Sequence, residues 1–203
     1  MTMSLKTPDL SATSKPAPKA VSTQRREMLC AAVAWLALPV AANATAPWPE
    51  VRAALPEARL AGAARLRVWG FEVYDAQLWV GPGFRASQYA DHPLALSLAY
   101  LRALKGPLIA ERSLKEMRAL GDISSAQADA WLRAMTQIFP DVAPSDRLTG
   151  MHQPGVGAQF WLNAQAIGQV ADARFSALFF GIWLAQASSE PAMRRQLLSG
   201  VPT

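Results

Sequence analysis

The sequence predicts an α+β domain in which an antiparallel sheet carries helices on one face. Three observations lead there. Apolar and polar residues alternate with period two in three stretches between residues 64 and 100, and in three more between 147 and 170. Between 108 and 139, and again beyond 173, apolar residues recur at helical spacing. Gly70, Pro107, Pro140, Asn163 and Pro191 punctuate these stretches, residue types that turn a strand, open a helix or stop one. Strands and helices therefore come in runs rather than in strict alternation, which is the order of an α+β domain.

The first two strands are expected at 64–69 and 73–80, joined at Gly70; in the first, Arg65, Arg67 and Trp69 alternate with Leu66 and Val68. A third strand puts Leu94, Leu96, Leu98 and Tyr100 on one face and Ala95, Ser97 and Ala99 on the other, and ends at Lys105-Gly106-Pro107. A helix follows over 108–120. The next, over 125–139, gathers Ala128, Trp131, Leu132, Met135 and Ile138 on one stripe before Pro140 stops it. Strands at 147–152, 158–162 and 167–170 read as a meander. An apolar helix at 173–184 aligns Phe175, Leu178, Phe179, Ile182 and Trp183, and a last helix opens at Ser189-Glu190-Pro191 and stops at Gly200. The chain shows no internal repeat.

The N-terminus reads differently. Residues 1–24 are polar and Pro-rich without apolar periodicity. Arg25 and Arg26 then precede an apolar run from Met28 to Ala42 and the small-residue sequence Ala42-Asn43-Ala44. These are the three regions of a cleavable export signal over 1–44, leaving a domain over 45–203 that starts at Thr45 and acts outside the cytoplasm, in the periplasm. The Arg25-Arg26 pair suits a twin-arginine signal, and a general secretory signal also carries cations there. A run of about fifteen residues, broken by Pro39, is too short for a permanent membrane span. Cys30 opens the run instead of closing it, which argues against a lipid anchor.

Removing that signal changes the composition. The only cysteine leaves, so a disulfide is excluded and the domain must be held by its core, which about 159 residues allow. Five cations and two acids leave with it, and the net charge falls from +5 to +2. Without an aromatic-interleaved basic stripe, nucleic acid is not expected as a partner. A Gly-rich phosphate loop, paired Cys or His at metal spacing, and a nucleophile elbow are all missing, so neither a cofactor nor a metal is expected. His152, alone on a strand, and His92, in a loop, read as structural or solvated residues. Trp69, Trp79, Trp161 and Trp183 read as packing. Arg65, Arg67 and Arg112 carry permanent charge and the forked geometry that grips a carboxylate, though each is equally a surface charge. Tyr74 and Tyr100 offer hydroxyls to a pocket, or ordinary half-buried core.

Several short motifs, in order, carry a resemblance. They are 60–65 (Leu-Ala-Gly-Ala-Ala-Arg), 70–79 (Gly-Phe-Glu-Val-Tyr-Asp-Ala-Gln-Leu-Trp), Gly106 with Glu111-Arg112-Ser113 and Glu116-Met117, Phe139-Pro140-Asp141, 146–150 (Asp-Arg-Leu-Thr-Gly), 160–163 (Phe-Trp-Leu-Asn) and 179–184 (Phe-Phe-Gly-Ile-Trp-Leu). Together they resemble the bacterial branch of the chalcone isomerase-like family over about residues 55–199. The resemblance implies an open-faced β-sandwich, a large antiparallel sheet with a helical layer, and a ligand cleft between them. Members of that family include flavanone-forming enzymes and fatty-acid binders. The enzymes' strand Arg aligns with Arg65, the strand Thr with Tyr74, the catalytic Tyr with Ile109 and a helix Lys with Arg112. Loss of that Tyr implies ligand binding without chalcone cyclisation, of a small apolar, aromatic or carboxylate-bearing molecule such as a fatty acid, with Arg65 or Arg112 on its carboxylate. An isomerase (intramolecular lyase) acting on another phenolic or enone substrate, and a partner-binding scaffold, are the alternatives. The oligomeric state is not legible.

Overall fold

The computed structural model describes residues 46–202. The export signal expected over 1–44, with Arg25, Arg26 and Cys30, and the new N-terminus expected at Thr45 lie outside the described residues.

Six strands form one antiparallel sheet: Arg59–Val68 (β1), Phe71–Val80 (β2), Leu94–Tyr100 (β3), Arg147–Gln153 (β4), Gly157–Leu162 (β5) and Gln165–Val170 (β6). Each pairs with the strand before it, so sheet order repeats chain order. The helices are Pro49–Ala54 (α1), Gly106–Leu120 (α2), Ser125–Ile138 (α3), Ala173–Leu184 (α4) and Pro191–Leu197 (α5), with a 3₁₀ turn at Ala86–Asp91. The α+β order is as the sequence implies, with two additions. Neither α1 nor the 3₁₀ turn was expected, because six residues are too few to show a helical period. β1 begins at Arg59 rather than at 64, since a bulge between Leu60 and Gly62 breaks the alternation that would have marked its start.

Local chemistry sets the helix ends. Ser124 caps α3 through a reciprocal box with Gln127. Asp172 caps α4 by accepting from the amides of Arg174 and Phe175 at 2.9 and 3.0 Å, and its other oxygen accepts from the Trp131 indole at 2.9 Å. α4 is apolar nearly all round and is buried accordingly, lying on β4 and β5 with α2 packed beside it. Phe139, Phe160, Phe175, Phe179 and Phe180 interlock there, largely edge to face.

Helices α2 to α5 share one face of the sheet with the main core. The expectation that all helices lie on that face needs correction for α1. It covers the opposite face, where Val51 packs with Trp79, Ala95 and Met151. Glu50 of α1 reaches the sheet there and forms a buried pair with Arg147 at 3.1 Å, and it accepts from Thr149 Oγ1 at 2.8 Å. Thr149 in turn meets Ser97 across β3 and β4 at 3.1 Å, and the Arg147 guanidinium lies 3.9 Å from the Trp48 ring.

Both ends of β1 are set by close backbone geometry. At its start, Gly62 lets α5 approach so closely that a Cβ would lie 2.2 Å from the Gln196 carbonyl oxygen. Just beyond, the Gly200 amide donates to Ala61 O at 2.8 Å. At its end, Val68 pairs with Phe71, leaving Trp69 and Gly70 as a two-residue turn with φ of 49° and 82°. A tight hairpin asks for positive φ at both positions. Glycine adopts it freely, whereas a bulky L-residue there costs about 1–2 kcal/mol.

A cavity between sheet and helices

The side chains of β1 to β4 that face the helical layer do not meet α2 and α4 everywhere. A cavity of about 240 Å³ remains between them, with Ser189 and Glu190, just ahead of α5, also on its wall. Its walls are mainly aliphatic and aromatic: Leu66 and Val68 from β1, Leu98 from β3, Leu148 from β4, Phe179 and Ile182 from α4. Of the candidate residues, Tyr74, Ile109 and Arg112 come together on this wall. Arg65 does not. Alternation along β1 sends Leu66 and Val68 into the cavity and turns Arg65 to the other face, where it is exposed and paired with Asp75 and Glu72 at 2.5 and 2.8 Å. Arg67 joins the same group through Glu72 at 2.7 Å. The ligand role that alignment suggested for Arg65 therefore has no support in its position.

Two phenols supply the cavity's polarity. Tyr74 and Tyr100 face each other across β2 and β3, rings edge to face at 5.9 Å. The Tyr74 oxygen accepts from the Trp183 indole at 3.0 Å, so its own O–H remains to donate. The Tyr100 hydroxyl makes no hydrogen bond among the described residues. Desolvation pushes Tyr74 up to about 12 and Tyr100 further still, so both stay protonated donors at neutral pH.

Charge sits at the wall as well. Arg112, well exposed, pairs with Glu116 one turn along α2 at 2.7 Å, and the Glu116 side chain is only 13% exposed. Glu190, ahead of α5, adds a second acid, so one cation stands against two acids. Ser113 gives its hydroxyl proton to the Ile109 carbonyl of its own helix at 2.8 Å. Ile109 presents only hydrocarbon to the cavity. The sequence missed Glu116, Glu190 and Trp183 as site residues. Glu116 carried a signal, being four residues from Arg112 on a helix; the other two are joined to the site only by tertiary packing.

Comparisons with known proteins agree with this architecture. A fatty-acid binding protein of Arabidopsis thaliana has a similar fold, with a TM-score of 0.55, 13% identity, and coverage of 70% of this chain and 87% of that one. An uncharacterized protein of Haemophilus influenzae is 34% identical over 131 residues, 64% of this chain, and the match spans 63% of that protein's length. The family model described as chalcone isomerase-like matches residues 49–199, the six-stranded sheet with all five helices. With the sheet, the helical layer and the cavity between them all in place, the chain belongs to the chalcone isomerase-like family.

Proposed function

We propose that the domain binds an elongated, mainly apolar small molecule in this cavity and does not carry out chalcone cyclisation. The observation that carries the reading is the cavity itself, lined mainly by apolar side chains with two phenols among them. The structural likeness to a fatty-acid binding protein supports the same class. The wall's charge refines it. A carboxylate would meet Arg112 already paired with Glu116 and would face Glu190 too, so a neutral oxygen head, such as an alcohol or carbonyl, suits the site better.

Titration with a medium-chain alcohol and the acid of equal length tests this. At neutral pH the alcohol should bind more tightly, and Glu116→Gln with Glu190→Gln should narrow the gap. Tyr74→Phe, which removes one net hydrogen bond, should weaken the alcohol about fivefold. Failure of every apolar ligand to bind, with none released from freshly purified protein in native mass spectrometry, would favour the scaffold alternative. The two free phenols also suit an isomerase that stabilises an enolate oxygen. Turnover of an enone that Tyr74→Phe slows would establish that reading instead.

We propose further that residues 1–44 direct export to the periplasm. Exported protein should begin at Thr45; one beginning before Arg25 would refute it. Replacing Arg25 and Arg26 by Lys should block export if the route is twin-arginine and leave it intact if it is the general secretory one.

A further inference from the structure

Large apolar side chains exposed on the described surface are not scattered. Val68, Trp69, Phe71, Leu101 and Leu108 cluster at one end of the sheet, and only Val156, on the β4–β5 turn, lies elsewhere. Trp69 is 94% exposed, against the expectation that it packs in the core, and Phe71 is 62% exposed. Val68 and Leu108 also line the cavity, so the patch runs into its mouth. Packing gives no reason for Trp69 to hold a left-handed backbone conformation in water, where Asn or Gly would turn the chain without strain. The charges beside it are largely paired, with one cation left over among the described residues. Residues 101–108 hold Arg102 and Lys105 and no acid. Arg102 lies 5.2 Å from the Phe71 ring centre and makes no ion pair among the described residues. Lys105 pairs with Asp141, and Arg67, just before the turn, pairs with Glu72.

A protruding Trp and Phe flanked by Arg and Lys match the chemistry of a bilayer interface, where aromatic rings sit at headgroup level and cations meet lipid phosphates. A two-residue turn with an adjoining loop is a projecting tip, and it offers no groove for a peptide. We propose that this end of the domain docks on a phospholipid surface, with Trp69 and Phe71 inserted at the headgroup boundary, Arg102 meeting a lipid phosphate and the cavity mouth facing the bilayer. An apolar ligand then passes between bilayer and cavity without crossing water. The docking stands on the patch alone; the ligand's passage rests on the reading of the cavity proposed above.

The test is flotation of the full chain with vesicles of phosphatidylethanolamine and phosphatidylglycerol, together with hydrogen exchange on the bound protein. Exchange should slow at 67–73 and 101–109 and not at the β4–β5 turn. Combined Trp69→Ser and Phe71→Ser should weaken vesicle binding roughly tenfold or more, while Val156→Ser binds like the parent. Vesicle binding that survives the double substitution, or exchange unchanged at both segments, overturns the proposal. So does a dimer that the double substitution dissolves while vesicles stay unbound. Ligand titration of the same double variant keeps the two readings apart, because a filled cavity in a protein that no longer docks counts against neither the cavity nor its occupant.

Discussion

His152 shows how a single side chain can be read correctly for type and still surprise in its partners. Alternation puts it on a strand and makes it structural, and it is fully buried. Its Nε2–H donates to the Ala90 carbonyl at 2.9 Å, which leaves Nδ1 to accept from the Ser176 hydroxyl at 2.6 Å. Desolvation holds its proton affinity below that of a free imidazole. Folding therefore favours the neutral ring: the stabilisation is present in full above the ordinary value of 6.5 and is lost as pH falls through the lower folded value. The urea midpoint should fall on acidification from about pH 7.5 to 5, and His152→Gln should flatten that slope. A slope unchanged by the substitution would clear His152 of the effect. Asp141 and Asp146, held low by Lys105 and by backbone amides, add losses only in more acid solution, below 3.8. Arg65 marks the limit at this scale. Alternation separates it from Leu66 but does not say which face borders a cavity, because that depends on helices that arrive forty or more residues later. The Glu50–Arg147 pair was equally illegible, as its partners stand 97 residues apart.

Elements long enough to display a period were legible, and several of their ends were set by residues visible in advance: Pro107, Pro140, Pro191. What pattern reading could not supply was the use of a cap for a second purpose. Asp172 opens α4 and at the same time satisfies the indole of Trp131, a buried residue of α3, so one carboxylate ties two helices at their junction. Asp172→Ala should cost about 2 kcal/mol or more in urea unfolding, the sum of a lost cap and an unpartnered indole, and Asp172→Asn should restore part of it. A loss below about 0.5 kcal/mol for the alanine variant would show that water replaces both contacts. The β1–β2 turn was placed at Gly70 from sequence. Its other residue, Trp69, was assigned to the core because tryptophan is usually packed, and the two-residue geometry that ejects it emerges only from the pairing of Val68 with Phe71.

Over the whole molecule, each strand pairs with its neighbour in sequence, β3 and β4 across the two intervening helices, and the longest reach is made by the chain's end. α5 lies against β1 through Gly62, and Gly62→Ala would drive a methyl group into the carbonyls of Gln196 and Leu197, where backbone cannot easily yield. A destabilisation of about 1–3 kcal/mol is expected in thermal unfolding, and an unchanged midpoint would mean that α5 is looser than its packing implies. The Gly200 amide on Ala61 O belongs to the same closure. Its consequence is one of timing. The β1–β2, β4–β5 and β5–β6 hairpins can each form as soon as the second strand is available, whereas β4 reaches β3 only after α2 and α3 have been made, so the sheet can still grow in chain order. Throughout that growth the outer edge of β1 stays open to any passing strand, and its start at Ala61 is closed only when the Gly200 amide arrives. The interval between the first hairpin and the final turn at Gly200 is thus the period in which this protein is most exposed to aggregation, and its length is set by the rate of chain delivery rather than by the stability of the finished fold.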